Sequence, residues 1–250
     1  MAALLNLILT FSLLTVGNSL SLNYYHKTCP DAEFIVAKAV KAAKAVDKTV
    51  PAALLRMHFH DCFIRSGGPS WDVPKGRKDG RKSKASETVQ LPAPTFNISQ
   101  LQKSFSQRGL SIEDLVALSG GHSLGFSHCS SFRSRIHNFD ATHDIDPSIN
   151  PPFAAKLKSI CPLKNQAKNA GTTLDPSSTT FDNTYYKLIL QGKSIFSSDQ
   201  ALVDTPKTKK LVTNFATSQE AFYKAFVKSM IKMSSINNGQ EVRKDCRVVN

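Results

Sequence analysis

The stretch PAALLRMHFHDCF, residues 51–63, combines an apolar helical pattern with a polar end. Proline is favoured at the first position of a helix because its missing N–H would be unpaired there, and Thr49 is a candidate N-cap. Residues four apart share a helix face, so Arg56 and His60 project to one side, with Phe59 next to His60 in the chain. A buried guanidinium is costly unless an anionic group contacts it. The stretch therefore predicts a core helix with one charged, chemically active face.

Three interpretations of this helix end are open from the residues alone. The first is a polar terminus on a core helix, because a lone histidine there is more often a satisfied core residue than a catalyst. The second is a zinc site, since His58, His60 and Asp61 superficially match H-x-H-x-D; the spacing and the helical context argue against it. The third, which we favour, is that A-x-x-x-R-M-H-F-H-D-C resembles the distal signature of the plant secretory (class III) haem peroxidases.

This resemblance implies an all-α fold with haem b held between two helices. One helix carries His60 and the other carries His122. His60 would take a proton from hydrogen peroxide and return it to the departing oxygen, while Arg56 would stabilise the developing charge. Phe59 would contact the haem, and small phenolic donors would be oxidised at its edge near Pro92. By residue type alone, the LPAP stretch containing Pro92 would be predicted to be a plain turn.

A second decisive stretch is SIEDLVALSGGHSLG, residues 111–125. Ser111 and Asp114 have the spacing of a capping box, which predicts a helix start. The stretch resembles the proximal motif of the same family, which makes His122 the ligand of the haem iron. The resemblance also implies that Asp199, in FSSDQAL, accepts a hydrogen bond from the other ring nitrogen of His122; by its type alone Asp199 is equally a surface residue.

An oxygen-rich segment follows in TLDPSSTTFDNTYY, where hard donors at high density suit calcium. Such residues also occur in turns without a metal. The segment resembles the proximal calcium loop of the family, and the resemblance implies these ligands: Ser123, Asp175, Ser178, Thr180 and Asp182. Asp61 would be the remaining ligand of a second, distal calcium site.

The family pattern breaks after Arg65. SGGPSWDV follows at once, where the family continues into a calcium loop and further helices, so an internal deletion at 65/66 is predicted. The chain has five cysteines, and the resemblance implies a disulfide between Cys129 and Cys161. The family partners of Cys29, Cys62 and Cys246 all fall in the missing block, which favours one lost segment. The distal asparagine that orients the catalytic histidine is lost with them, so impaired catalysis is expected.

Residues 1–19 carry no charged side chain and have the features of a secretory signal peptide. The rest of the chain, 20–250, is predicted to form one extracellular or vacuolar domain without a membrane span. The net charge of +13 is spread along the chain, which favours an anionic cell-wall polysaccharide over nucleic acid as a partner. A solvated basic surface without a partner is the alternative.

A monomer is expected, and Asn97-Ile98-Ser99 is an N-glycosylation sequon. Further helices are predicted over 31–46, 99–108 and 217–234, and a surface loop over 75–90.

Overall fold

The structure is a computed structural model, and it describes residues 20–47, 50, 68–78, 80–81, 86, 91–164, 169–236 and 241. The predicted signal peptide, the helix over 51–63 and Cys246 lie outside these residues. The same holds for the candidate distal residues: Arg56, Phe59, His60, Asp61 and Cys62.

Helices cover about half of the described residues and the two strands among those residues are short, in agreement with the all-α prediction. The predicted helices over 31–46, 99–108 and 217–234 are confirmed with shifts of one or two residues at their ends. The helices are α1 Ala32–Val46, α2 Ile98–Ser106, α3 Ile112–Ser119, α4 Arg133–Ile136, α5 Pro151–Ile160, α6 Thr184–Leu190, α7 Ser197–Gln200, α8 Pro206–Thr217 and α9 Gln219–Ser234, and the two short strands are β1 Phe126–His128 and β2 Gly171–Thr173.

Reciprocal side-chain caps start α2 and α3, and His122 follows the end of α3. The Ser111 hydroxyl accepts a hydrogen bond from the Asp114 N–H at 3.1 Å, and the Asp114 carboxylate accepts one from the Ser111 N–H at 2.6 Å. Asn97 and Gln100 make the same reciprocal pair at the start of α2, at 2.9 Å in both directions. Each pair satisfies two backbone donors that a helix start leaves unpaired. The predicted capping box at Ser111 is therefore confirmed.

The main core lies among α3, α6, α8 and α9 and is rich in aromatic rings. Phe181, Tyr186, Phe222 and Phe226 are each 0% exposed, and the Phe181 and Phe226 ring centroids are 4.8 Å apart. A side chain at Gly120 would collide with the Tyr186 hydroxyl and the Phe222 ring. Glycine is therefore required where the end of α3 approaches the aromatic core, and this close contact fixes the backbone just before His122.

A second, smaller core surrounds the disulfide. Cys129 and Cys161 are joined, with their Cα atoms 5.7 Å apart, as the family resemblance implies. Phe132, Ile136 and Leu157 pack around them and are 1% exposed or less. The two cysteines are 32 positions apart in sequence, and closing a loop of that length stabilises the fold by roughly 3–4 kcal/mol in the loop-entropy model. Cys29 is exposed and unbridged within the part of the chain that the structure describes.

The two strands place the predicted calcium loop beside the end of α3. They pair antiparallel, with Phe126 opposite Thr173 and His128 opposite Gly171. Gly125 precedes β1 with a φ of 113°, a conformation that favours glycine. Its N–H donates to the Ser178 carbonyl at 3.1 Å, and its carbonyl accepts from the Leu174 N–H at 3.0 Å. The loop that follows β2 is thus tied to the turn that carries His122 and Ser123.

Helix α1 differs from the other long helices because none of its residues is buried. Phe34 is 69% exposed and Val46 is 91% exposed. Lys75 forms an ion pair with Glu33 of α1, and its backbone pairs with that of Ser21. The predicted helix is therefore confirmed, but in the described ranges its apolar side does not contribute to the core. No helix among those residues has both the length and the apolar character needed to cross a membrane.

Candidate functional site

His122 stands at the end of α3, on a short 3₁₀ turn over Gly120–Ser123. The preceding helix is anchored by Leu115, Val116 and Ala117, which are 1% exposed or less. The His122 side chain itself remains 43% exposed. A rigid buried helix therefore presents an accessible imidazole at its end.

A buried carboxylate holds one edge of that imidazole. The Nδ1 atom of His122 lies 2.9 Å from Oδ1 of Asp199, and the Asp199 side chain is only 4% exposed. The Phe196 ring packs against the imidazole edge to face, with centroids 5.2 Å apart. An acceptor at Nδ1 fixes the tautomer and orientation of the ring and makes Nε2 a better ligand. The geometry fits the proximal haem ligand that the sequence predicts.

Tyr185 is a third member of this group, and the sequence reasoning did not include it. Its hydroxyl donates to the same Asp199 oxygen at 2.8 Å. Burial raises the pKa of Tyr185 well above its usual value, and the nearby Asp199 charge adds to the rise. The side chain therefore acts as a hydrogen-bond donor. His122 and Asp199 are 77 positions apart in sequence, and the packing of α6 and α7 against the end of α3 brings Asp199 and Tyr185 to the imidazole.

The stretch containing Pro92 is tied to α7. The Ser198 N–H, next to Asp199, donates to the Pro94 carbonyl at 3.0 Å. Pro92 itself is exposed, and residues 94–95 form a turn. The structure thus places Pro92 at the surface, on the segment that contacts the helix of Asp199.

The predicted proximal calcium loop contains two buried oxygens that lack hydrogen-bond partners. They are the Ser123 hydroxyl and Oδ2 of Asp175. Burial raises the pKa of Asp175 to about 7, and the charge of Asp182 contributes to the rise. Buried oxygens without partners are costly, and two carboxylates that repel one another are what a bound cation would stabilise. These residues fit a calcium site.

The remaining predicted ligands take different positions in the same loop. Ser178 contributes its carbonyl to Gly125, Thr180 is exposed, and the Asp182 carboxylate accepts a hydrogen bond from the Thr184 N–H at 2.8 Å. Among the described residues, no three His, Cys, Asp or Glu side chains form a metal-binding cluster. The candidate site therefore depends on two carboxylates with hydroxyl and carbonyl oxygens, a donor set that is typical of calcium.

A buried arginine network near α7 was also missed by the sequence reasoning. Arg135 is 1% exposed; its Nε donates to Asp146 at 2.8 Å, and another guanidinium N–H donates to the Ser194 carbonyl at 2.6 Å. The pair ties α4 to the segment that precedes α7. A signal was present in the sequence, because Arg135 lies between the apolar residues Phe132 and Ile136.

Comparison with known proteins gives a consistent result. A family model described as peroxidase matches residues 64–218. Peroxidase 64 of Arabidopsis thaliana is 51% identical over an alignment that covers 92% of this chain and 93% of the relative. Peroxidase 66 of the same plant is 44% identical over 93% of this chain and 92% of the relative, and peroxidase 3 is 36% identical over 92% of each.

The alignments are longer than this chain, and the difference bears on the predicted deletion. The alignment with peroxidase 64 spans 295 positions, but 92% of this 250-residue chain fills only about 230 of them, so about 65 positions have no residue in this chain. The alignment with peroxidase 66 spans 298 positions at a similar coverage. Positions without a residue in this chain are therefore present in both alignments, in one gap or in several. With its helical fold, its matching family model and these relatives, this chain belongs to the peroxidase family of oxidoreductases, among the plant secretory (class III) haem peroxidases.

Proposed function

We propose that this chain is a haem-dependent peroxidase that reduces hydrogen peroxide and oxidises small phenolic donors, and that it takes part in peroxide breakdown under oxidative stress. The observation that carries the proposal is the 2.9 Å contact between His122 Nδ1 and the buried Asp199. It supports His122 as the proximal ligand of haem b, with Nε2 as the ligating atom. Haem would supply the redox chemistry, and the residues of the chain would bind it and move protons.

The distal roles rest on the motif of residues 51–63. His60 would accept a proton from the near oxygen of hydrogen peroxide and deliver it to the far oxygen as the O–O bond breaks. Arg56 would stabilise the negative charge that develops on the departing oxygen. Phe59 would pack against the haem. Phenolic donors would approach near Pro92, whose exposure supports a surface position for this contact.

Calcium would support the proximal side. Ser123 follows the proposed iron ligand directly, so a cation held by Ser123, Asp175, Ser178, Thr180 and Asp182 would fix the backbone at His122. The unpaired buried oxygens of Ser123 and Asp175 support this assignment. Asp61 alone cannot provide the six to eight oxygen contacts that calcium takes, so we infer at most one calcium ion per chain.

A second candidate function is a catalytically impaired peroxidase-like protein. The observation that favours it is the shortfall of about 65 positions against peroxidase 64. We place the lost block after Arg65, where it would remove the residue that orients His60. A displacement of the catalytic group by ~1 Å can lower the rate by about 10²-fold. The basic chain would then act mainly by binding cell-wall polyanions.

The proposed setting follows from the sequence. Residues 1–19 have the features of a signal peptide, and the mature chain would be a secreted monomer over 20–250 at the cell wall or in the vacuole. Asn97 is the proposed glycosylation site. Its exposed position supports access, and its Oδ1 rather than its amide nitrogen caps α2. The net charge of +13 supports attraction to an anionic polysaccharide.

The test is to express residues 20–250 in an oxidising host with haem. The absorption spectrum and guaiacol turnover are recorded with hydrogen peroxide, beside an intact class III relative. A Soret band with turnover within about tenfold of the relative supports the working enzyme. A Soret band with turnover lower by about 100-fold or more supports the impaired candidate. Absence of a Soret band in the folded chain would overturn the assignment of haem binding. Exposed His128, six residues after His122, supplies the control variant His128→Ala, which should bind haem normally.

A further inference from the structure

One oxygen of Asp199 serves two donors. Oδ1 lies 2.9 Å from His122 Nδ1 and 2.8 Å from the Tyr185 hydroxyl. Asp199 and Tyr185 are 3% and 4% exposed. Two donors at hydrogen-bond distance from one carboxylate oxygen share its negative charge, and in a buried setting each bond is stronger than in water.

We propose that Tyr185 is a positioning residue that regulates how strongly Asp199 polarises His122. Its hydroxyl fixes the carboxylate rotamer against the imidazole. It also draws part of the charge of Oδ1 away from the Nδ1–H of His122, so that the imidazole donates less electron density through Nε2. The inference rests on the proposed role of His122 as the haem ligand, and the three side chains that it invokes are all among the described residues.

The direction of the effect follows from this sharing. In Tyr185→Phe the ring is kept and the hydroxyl is lost, so Asp199 Oδ1 pulls harder on the His122 Nδ1–H. A ring with more imidazolate character stabilises ferric over ferrous iron. We expect the equilibrium constant for reduction to fall by up to about tenfold, which for a one-electron couple is about 59 mV towards more negative potential.

The next residue in the chain provides a matched control. Tyr186 is also fully buried, and its hydroxyl donates to the backbone carbonyl of Val116 at 2.9 Å instead of to Asp199. Tyr186→Phe removes the same group from the same helix. The Tyr186 hydroxyl also lies against Gly120, so this variant measures how far the loss of a buried hydroxyl beside the turn of His122 moves the imidazole when the bonds to Asp199 are unchanged.

The test has one measurement without haem and one with it. In the apoprotein, ¹⁵N-histidine labelling reports the Nδ1 chemical shift of His122 at about pH 8, where an ordinary imidazole is neutral. In the haem-loaded protein, spectroelectrochemistry gives the ferric–ferrous midpoint potential. We expect both to move in Tyr185→Phe, towards a stronger Nδ1 hydrogen bond and a more negative potential, and both to move by clearly less in Tyr186→Phe.

A second variant covers the case in which Tyr185→Phe does not fold. Site-specific 3-fluorotyrosine at position 185 keeps the shape and makes the hydroxyl a stronger donor, so both measurements should shift in the opposite direction. Equal values in wild type and both position-185 variants, or equal shifts in the Tyr185→Phe and Tyr186→Phe proteins, would overturn the inference. If wild type fails to bind haem, the proposed function fails, and the apoprotein shift still decides the role of Tyr185.

Discussion

Replacing Asp114 with asparagine is expected to remove a pH-dependent part of the stability that holds α3, and with it His122, against α9. Asp114 is 2% exposed. Its carboxylate accepts hydrogen bonds from Lys232 at 2.6 Å, from the Ser229 hydroxyl at 2.8 Å and from the Ser111 N–H at 2.6 Å. Asparagine would keep one acceptor and point an N–H towards groups that are themselves donors.

The magnitude follows from the pKa of Asp114. Burial alone would raise it, but the hydrogen bonds from Lys232, Ser111 and Ser229 outweigh burial and lower it from 3.8 to about 2. Each pKa unit corresponds to about 1.4 kcal/mol, so the ionised carboxylate adds about 2 kcal/mol to the free energy of unfolding. Because the folded pKa is the lower one, this term is fully present above pH 3.8 and is lost as the pH falls through about 2.

Urea unfolding of the apoprotein, from neutral pH down to about pH 2, would measure the effect. Asp114→Asn should be less stable than wild type by about 2 kcal/mol or more at neutral pH, and the two curves should converge near pH 2. The neighbouring Glu113 provides the control, because it pairs with Lys228 at the surface, with side chains 44% and 72% exposed. Glu113→Gln should change stability by less than about 0.5 kcal/mol. A difference between wild type and Asp114→Asn that stays constant across the acid range would refute the reasoning.

Three further predictions concern the site. His122→Ala should abolish the Soret band while His60→Ala should keep it, because only His122 is the proposed ligand; equal wild-type spectra would contradict the assignment. Calcium at 100 times its dissociation constant should raise the free energy of unfolding by about 2.7 kcal/mol over the metal-free protein, and Asp175→Asn should lose most of this gain whereas the exposed Asp140→Asn should keep it. Non-reducing mass spectrometry should find the Cys129–Cys161 link and no single native partner for Cys29, Cys62 or Cys246; a homogeneous product in which Cys29 is joined to Cys246 would show that the lost block had been structurally replaced.

Much of the helical structure was predictable because its signals are local. The capping box of Ser111 and Asp114 spans four residues, and the hydrogen bonds that define it form within that span. The amphipathic pattern likewise located α1 and α9 to within a few residues. The pattern of α1 predicts an apolar side but not the segment that would cover it, because burial depends on residues that are distant in sequence. In the structure, none of the residues of α1 is buried.

The site was predictable only where a family resemblance joined distant residues. His122 and Asp199 are 77 positions apart, and no local rule pairs them. Tyr185 was missed because it lies in a YY pair on a helix, where one tyrosine contacts Asp199 and the other contacts a backbone carbonyl. Both residues are tyrosines, so only the way in which α6 packs determines which hydroxyl faces Asp199.

The contacts that hold the proximal side lie outside the block that we propose to be missing after Arg65. The aromatic core, the disulfide and the candidate calcium loop all lie after residue 91. The contacts that orient His122 come from Asp199, Phe196 and, through Asp199, Tyr185, and these too are downstream. The proposed proximal ligand is therefore held by contacts that need no residue from the proposed missing segment, whereas the family resemblance places the residue that orients His60 within that segment. We therefore expect this chain to bind haem and show a Soret band. We expect its rate of peroxide reduction to be lower than that of an intact relative, because His60 would lack the residue that orients it.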